Sequence, residues 1–170
     1  MIPMILIGIW IKADTPGPVL FKQERLGTIG KPFMIYKFRT MYTDAEVNGP
    51  QWAKKNDDRC TRAGQLLRKT RLDELPQLWN ILVGEMSFVG PRPERCYFYD
   101  MFETYISGFR NRLAVKPGLT GWAQVNGGYD LRPEEKIVYD MEYIRNQSLM
   151  MDINCLLKTF SIIFTHKGAR

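Results

Sequence analysis

The sequence is poor in the features that mark a disulfide-stapled, zinc-binding or membrane-spanning chain. It has three cysteines, Cys60, Cys96 and Cys155, and one histidine, His166, with no Cys-x-x-Cys or Cys/His ligand spacing among them. An odd number of widely spaced cysteines excludes a disulfide framework and a structural zinc site, and fits a reducing, cytosol-facing location. No apolar run approaches the roughly 20 residues that a bilayer span requires. The first 11 residues are apolar apart from Pro3 and Gly8 and stop at Lys12, so they read as a buried, interfacial or re-entrant helix with Pro3 where a bend would fall. No basic region precedes that run and no small-residue cleavage site follows it, which argues against a signal peptide. Internal repeats, low-complexity tracts and any recognised DNA- or RNA-binding pattern are also lacking. Acidic residues are in deficit, 18 against 24 Lys and Arg, giving a net charge of +6 and a pI near 9.3. Such a balance points to an anionic partner: nucleic acid, an acidic membrane surface or a phosphorylated substrate. With 170 residues at 45% hydrophobic content, the chain can bury one core and is expected to form one domain over residues 1–170.

What is there centres on Arg71-Leu72-Asp73-Glu74-Leu75-Pro76. Arg62, Arg68, Lys69 and Arg71 precede the acidic pair, and residues 77–82 read as a short helix with an apolar face. Pro76 is tolerated only in a helix's first turn, which makes Asp73 the expected N-cap and Glu74 the first helical residue. The helix end and the nearby guanidinium groups are then expected to keep both carboxylates ionised and to attract an anionic substrate. Taken alone, the hexapeptide is first of all a capping pattern.

Around it, residues 19–25 and 33–39, separated by a turn at 27–30, read as a hairpin rich in aromatic and β-branched residues. Alternation places Lys37 and Arg39 on one face; on the strand alone these are the cations that commonly guard an edge. Residues 42–58 are polar and contain Gly49-Pro50, as in a mobile, partly helical insertion placed to cover the site. Residues 61–69 read as a helix with Leu66 and Leu67 on one side and cations on the other. Gly90-Pro91-Arg92-Pro93 cannot be helical, so Arg92 is held in a stiff extended loop, an arrangement suited to bidentate phosphate recognition or, more plainly, to a turn with a solvated arginine. Residues 97–109 read as an aromatic amphipathic helix, residues 116–127 as a loop and residues 134–146 as a polar helix containing Asp140. From Leu149 to Phe164 apolar residues recur at helical spacing, with Lys158 outside the stripe and Gly168 as the stop; the stripe suits core or a membrane-surface helix.

Asp73-Glu74-Leu75-Pro76-Gln77-Leu78 followed by Gly84-Glu85-Met86-Ser87-Phe88-Val89-Gly90-Pro91-Arg92-Pro93 resembles the bacterial sugar transferase family, the monotopic polyprenyl-phosphate phosphoglycosyl transferases. The blocks at residues 17–27, 31–41 and 116–127 resemble it too, in order and spacing, so the likeness runs through essentially the whole chain. The resemblance implies an α+β fold: a re-entrant or interfacial helix, partial over residues 1–12 and starting here at its bend, and a cytoplasmic globular part, 13–170, with a small hairpin and several short amphipathic helices on the membrane surface. It implies transfer of a sugar-1-phosphate from a UDP-sugar to a polyprenyl (undecaprenyl) phosphate at the cytoplasmic face of the inner membrane, releasing UMP. Asp73 would be the nucleophile and carry an aspartyl phospho-sugar, and Glu74 would hold Mg²⁺. Arg92, Lys37, Arg39, Arg71 and Gln124 would bind the phosphates and nucleotide. The implied partners are the UDP-sugar, polyprenyl phosphate and membrane lipids, without nucleic acid, and a homodimer is compatible with the pattern. Two other classes stay open on the residues alone: a non-catalytic basic module for anionic lipid or nucleic acid, against which the acidic pair counts, and a metal-dependent phosphohydrolase using the same pair.

Overall fold

A computed structural model describes residues 2–47, 49, 57–128 and 131–165. Helix α1 (Ile2–Asp14) leads into the antiparallel hairpin of β1 (Leu20–Leu26) and β2 (Pro32–Phe38), paired from Leu20 opposite Phe38 to Leu26 opposite Pro32 around a 3₁₀ turn at Thr28–Gly30. The expected hairpin is therefore present within a residue at each end. Helix α2 (Arg62–Thr70) starts at Thr61, whose hydroxyl accepts a hydrogen bond from the Gly64 N–H, the cap geometry that the sequence favours there. Gly64 itself lies where an added Cβ would come within 2.0 Å of the Thr40 carbonyl oxygen, so only glycine lets α2 pack this closely on the chain leaving β2.

Residues 77–82 form α3 (Gln77–Leu82), and the following β3 (Ser87–Val89) pairs in parallel with β4 (Gly118–Thr120). That pairing overturns the expectation of a loop over residues 116–127, because the second half of the same block is helix α5 (Trp122–Gly127). A three-residue strand and a six-residue helix are too short to declare themselves by periodicity. The expected helix over 97–109 is also shorter: α4 spans Cys96–Glu103, and Gly108, in the left-handed region at φ 80°, turns the chain into a 3₁₀ segment at Phe109–Ala114. Helices α6 (Pro133–Asn146) and α7 (Leu149–Thr165) follow as the sequence predicts. The Gly168 stop and His166 lie outside the described residues. Among the described residues, two small sheets and seven α-helices make an α+β architecture, and no helix is long and apolar enough to cross a membrane.

The core is divided rather than continuous. Ile7 and Ile11 of α1 meet Phe38 and Leu67; Phe33 and Ile35 meet Met86; Leu26 joins Phe98, Tyr99, Phe102, Phe109 and Leu113; and Val89 joins Tyr143 and Cys155. Helix α3 is turned inside out. Its polar residues Gln77 and Asn80 are buried, at 1% and 0% exposure, while Leu78, Trp79 and Leu82 stand 43%, 58% and 77% exposed. The inversion is held by Asn80, which accepts from the Tyr36 N–H at 3.2 Å and donates to Met34 O and Glu85 Oε2, both at 2.8 Å. Those bonds satisfy an amide that would otherwise be costly to bury.

Candidate active site

The acidic pair lies on a 3₁₀ turn, Leu72–Glu74, set between α2 and α3. Arg71 creates that turn: it ends α2 in the left-handed conformation, at φ 61°, a conformation disfavoured by roughly 1–2 kcal/mol for a residue with a side chain. The expected N-cap role of Asp73 is not observed. Pro76 occupies the residue before α3, without a side-chain cap, and the 3₁₀ turn leaves Asp73 three residues short of it.

Instead, Asp73 and Glu74 line a cavity of about 720 Å³. Lys37, Arg39, Arg71, Arg92 and Gln124 line it too, so all seven residues singled out in the sequence reach one space. Among the described residues, nine Lys or Arg against five Asp or Glu surround it, a surplus that suits a polyanionic ligand.

The two carboxylates are treated differently. Glu74 Oε1 accepts from Lys37 Nζ at 3.0 Å and from Arg92 Nη2 at 2.6 Å. Burial pushes the Glu74 carboxyl up, but Arg92 and Lys37 outweigh it and hold the group well below the usual carboxylate range. Asp73, 7% exposed, takes no hydrogen bond or ion pair among the described residues. Burial and the adjacent Glu74 charge push it up to about 6, against the pull of Lys37, Arg68 and Arg92. Both carboxylates are thus ionised at pH 7, as expected, but for different reasons and with different basicity. Glu74 is the clamped anion, and Asp73 is a more basic carboxylate that is mostly ionised at pH 7. Lys37 is itself lowered by burial, against the opposing pull of Glu74.

Arg39 is also tied to the backbone. Its guanidinium donates to the carbonyl oxygens of Pro18 (Nε, 2.7 Å), Pro16 (Nη1, 3.0 Å) and Thr15 (Nη2, 2.8 Å). These bonds fasten the connector after α1 to the end of β2, while the residue also borders the cavity. Gln124, on α5, donates from Nε2 to Leu119 O at 3.2 Å. The described part of the polar insertion does border the cavity, through Tyr42, Thr43, Ala45 and Glu46; residues 48 and 50–56 lie outside the described residues.

Two buried ion-pair groups, each with a member lining the cavity, escaped the sequence reading. Glu94 is buried between Arg25 Nη1 at 3.3 Å and Lys136 Nζ at 3.0 Å, and Arg112 Nε donates to Asp140 Oδ2 at 2.6 Å with both side chains almost fully buried. Glu94 adjoins the Pro-Arg-Pro loop, a hint available in sequence; nothing local pairs Arg112 with Asp140, 28 residues apart. For a metal ion, no group of three or more His, Cys, Asp or Glu side chains gathers among the described residues. With Glu74 Oε1 occupied by two cations, its Oε2 and the Asp73 carboxylate are the oxygens on offer. That donor set suits Mg²⁺ in one form, with one or two carboxylates from the protein and the rest of the shell from substrate phosphates.

Residues 1–166 match the sequence model described as bacterial sugar transferase. The chain belongs to the bacterial sugar transferase family. A UDP-N-acetylgalactosamine-undecaprenyl-phosphate N-acetylgalactosaminephosphotransferase from Aeromonas hydrophila is 45% identical over 170 residues, covering 98% of this chain and 40% of the relative. A UDP-glucose:undecaprenyl-phosphate glucose-1-phosphate transferase from Xanthomonas campestris pv. campestris is 44% identical over 172 residues, covering 98% of this chain and 36% of the relative. A putative undecaprenyl-phosphate N-acetylgalactosaminyl 1-phosphate transferase from Bacillus subtilis is 53% identical over 113 residues, 66% of this chain and 63% of the relative. This bacterial sugar transferase chain therefore spans about two fifths of the length of the first two relatives.

Proposed function

We propose that this chain moves a sugar-1-phosphate from a UDP-sugar to polyprenyl phosphate, with Asp73 as the covalent carrier. The observation that carries the reading is the split acidic pair: an unclamped, raised-pKa carboxylate beside a carboxylate locked by two cations, in one cation-lined cavity. An Asp73 oxygen attacks the phosphorus that bears the sugar, and the bond from that phosphorus to the UMP oxygen breaks, so the electron pair leaves with UMP. The acceptor phosphate oxygen then attacks the same phosphorus and returns the Asp73 carboxylate. An acyl phosphate and a phosphoanhydride are close in energy, so neither step is strongly downhill. Arg92 and Lys37 would stabilise charge on the transferred phosphoryl oxygens, and Arg71, which borders the same space, would bind the substrate phosphates with them. Glu74 would hold Mg²⁺ against the substrate diphosphate, and the ion would supply neutralisation of the charge that develops on the leaving UMP. Gln124, at the α5 side of the cavity, would contact the nucleotide. The relatives' names specify different sugars, N-acetylgalactosamine and glucose, so the sugar is left to experiment.

The acceptor carries an insoluble tail, so the cavity must stand at a membrane surface. Support for that placement, at the cytoplasmic face, comes from α1, where Ile2, Ile5, Leu6 and Ile9 are exposed, from the inverted apolar face of α3 next to the acidic pair, and from Leu149, Met150, Leu157 and Phe160 of α7. Membrane lipids would cover these faces, as a monotopic arrangement requires. The test is incubation of the membrane-associated chain with UDP-N-acetylgalactosamine or UDP-glucose, with and without polyprenyl phosphate, following UMP. UMP release that requires the acceptor for multiple turnovers, and that is lost in Asp73→Asn, is expected. Sustained multiple turnover without acceptor would replace the transferase reading with hydrolysis.

A further inference from the structure

The loop that carries Arg92 is held by its backbone in an unusually complete way. Four successive carbonyl groups each accept a hydrogen bond, from three parts of the chain: Pro91 O from the Gly118 N–H at 3.0 Å, Arg92 O from Arg112 Nη2 at 2.9 Å, Pro93 O from Arg25 Nη1 at 3.2 Å, and Glu94 O from the Leu26 N–H at 3.1 Å. Two donors are backbone groups of β4 and β1, which the fold supplies for any side chain. The other two are arginine side chains, and Arg112 is the one that grips the residue whose own side chain reaches Glu74.

Arg112 is 1% exposed, as is its partner Asp140 on α6. Its guanidinium lies against the rings of Phe109, at 4.8 Å, and Tyr99, at 5.7 Å. A buried ion pair is weak evidence of stabilisation, because desolvating two charges offsets most of their attraction, and apolar residues of similar volume often replace such a pair without loss. Stability alone therefore gives a poor account of an ion pair enclosed here. Its geometry does give one: Nε is fixed by Asp140, the planar fork then fixes the direction of Nη2, and Nη2 ends on the Arg92 carbonyl. A lysine could not hold both ends at once.

We propose that Arg112 and Asp140 form a positioning unit for Arg92: Asp140 orients the Arg112 guanidinium, and Arg112 pins the Arg92 backbone so that the Arg92 guanidinium meets Glu74 and the transferred phosphoryl group. The proposal rests on the transferase reading above. Neither residue touches substrate in this account. Misplacing a charge-stabilising group by about 1 Å can reduce turnover by about a hundredfold.

The experiment is a cycle in the full membrane-associated chain. Arg112→Met/Asp140→Leu removes the pair while conserving volume, and Arg112→Lys keeps the charge but loses the fork. Either is expected to lose roughly 10- to 100-fold in kcat, with a smaller change in KM for the UDP-sugar, at an assay temperature where the variant remains folded despite the fall in melting temperature from the orphaned Arg92 carbonyl. The deciding arm repeats these changes in an Arg92→Lys background. If the pair acts only through Arg92, the further loss there is less than about threefold; equal losses in both backgrounds would show independent roles and overturn the proposal. Native-like turnover in either variant would overturn it too. Should the double variant fail to fold, Arg112→Lys carries the same comparison. If the native chain releases no UMP, the transferase reading fails by itself. Hydrogen exchange over residues 90–95 then decides the clamp: exchange at least roughly tenfold faster in Arg112→Lys supports it, and unchanged exchange refutes it.

Discussion

Replacing Asp73 with asparagine is expected to make the protein more stable while abolishing its activity. Asp73 is 7% exposed, and its carboxyl is pushed from an ordinary 3.8 to about 6 by burial and by Glu74. That displacement is the net of those two effects and of the attraction from Lys37, Arg68 and Arg92. At about 1.4 kcal/mol per pH unit of displacement, the ionised form costs the fold about 3 kcal/mol above pH 6. Asparagine keeps the shape, carries no charge and presents an amide that needs partners of its own, so the expected gain is about 1–3 kcal/mol at pH 7.5. In a chain of this size that is a rise in melting temperature of roughly 3–10 °C. The sign with pH is definite. The folded state binds the Asp73 proton more tightly than the unfolded state, so the native chain's Asp73 contribution is intact below about pH 4 and is lost as pH rises to about 6. The difference between variant and native should therefore be near zero at pH 4, grow to pH 6 and stay level above it. Thermal unfolding of both proteins in detergent across that range is the assay. A variant less stable at pH 7.5, or a difference that does not change with pH, would refute the account of Asp73 as a buried, unclamped carboxylate.

The same displacement predicts that transfer loses rate on acidification with a midpoint near pH 6, as the nucleophile takes up its proton; a pH–rate profile flat to pH 5 would count against Asp73. Arg39→Met should lower stability by about 2–4 kcal/mol through three orphaned carbonyls, read by urea unfolding, and a variant with native stability but no nucleotide binding would mark Arg39 as a phosphate ligand alone. Arg92→Lys should lower kcat by tenfold or more at an unchanged melting temperature, because the ammonium lacks the planar fork; a loss matched by unfolding would make the residue structural. Trp79→Glu/Leu82→Glu should weaken attachment to liposomes even in high salt, which screens charge but not apolar burial; unchanged flotation would remove α3 from the membrane surface.

Much of this architecture is written locally. The hairpin follows from two strand-like runs around a glycine turn, and the stiffness of the Arg92 loop from two prolines that restrict their neighbours. Helix α2 follows from its mixed apolar and basic run, although Leu67 is buried and Leu66 stands exposed rather than both on one side. The acidic pair among cations was equally legible as chemistry, since charge and residue type need no fold to be read. What the residues alone could not decide was the partner of each group. Arg39 and Lys37 are two residues apart, yet one meets three carbonyls of the chain after α1 and the other meets Glu74. Arg112 finds Asp140, and β3 finds β4, across about 30 residues, distances over which periodicity carries no information. Helix α3 shows the same limit differently: its apolar face is plain in the sequence, but only the bonds from Asn80 to the β2 backbone and Glu85 settle that this face turns outward. Local pattern determines which elements form; the closing of long loops around buried polar groups determines which side chains meet.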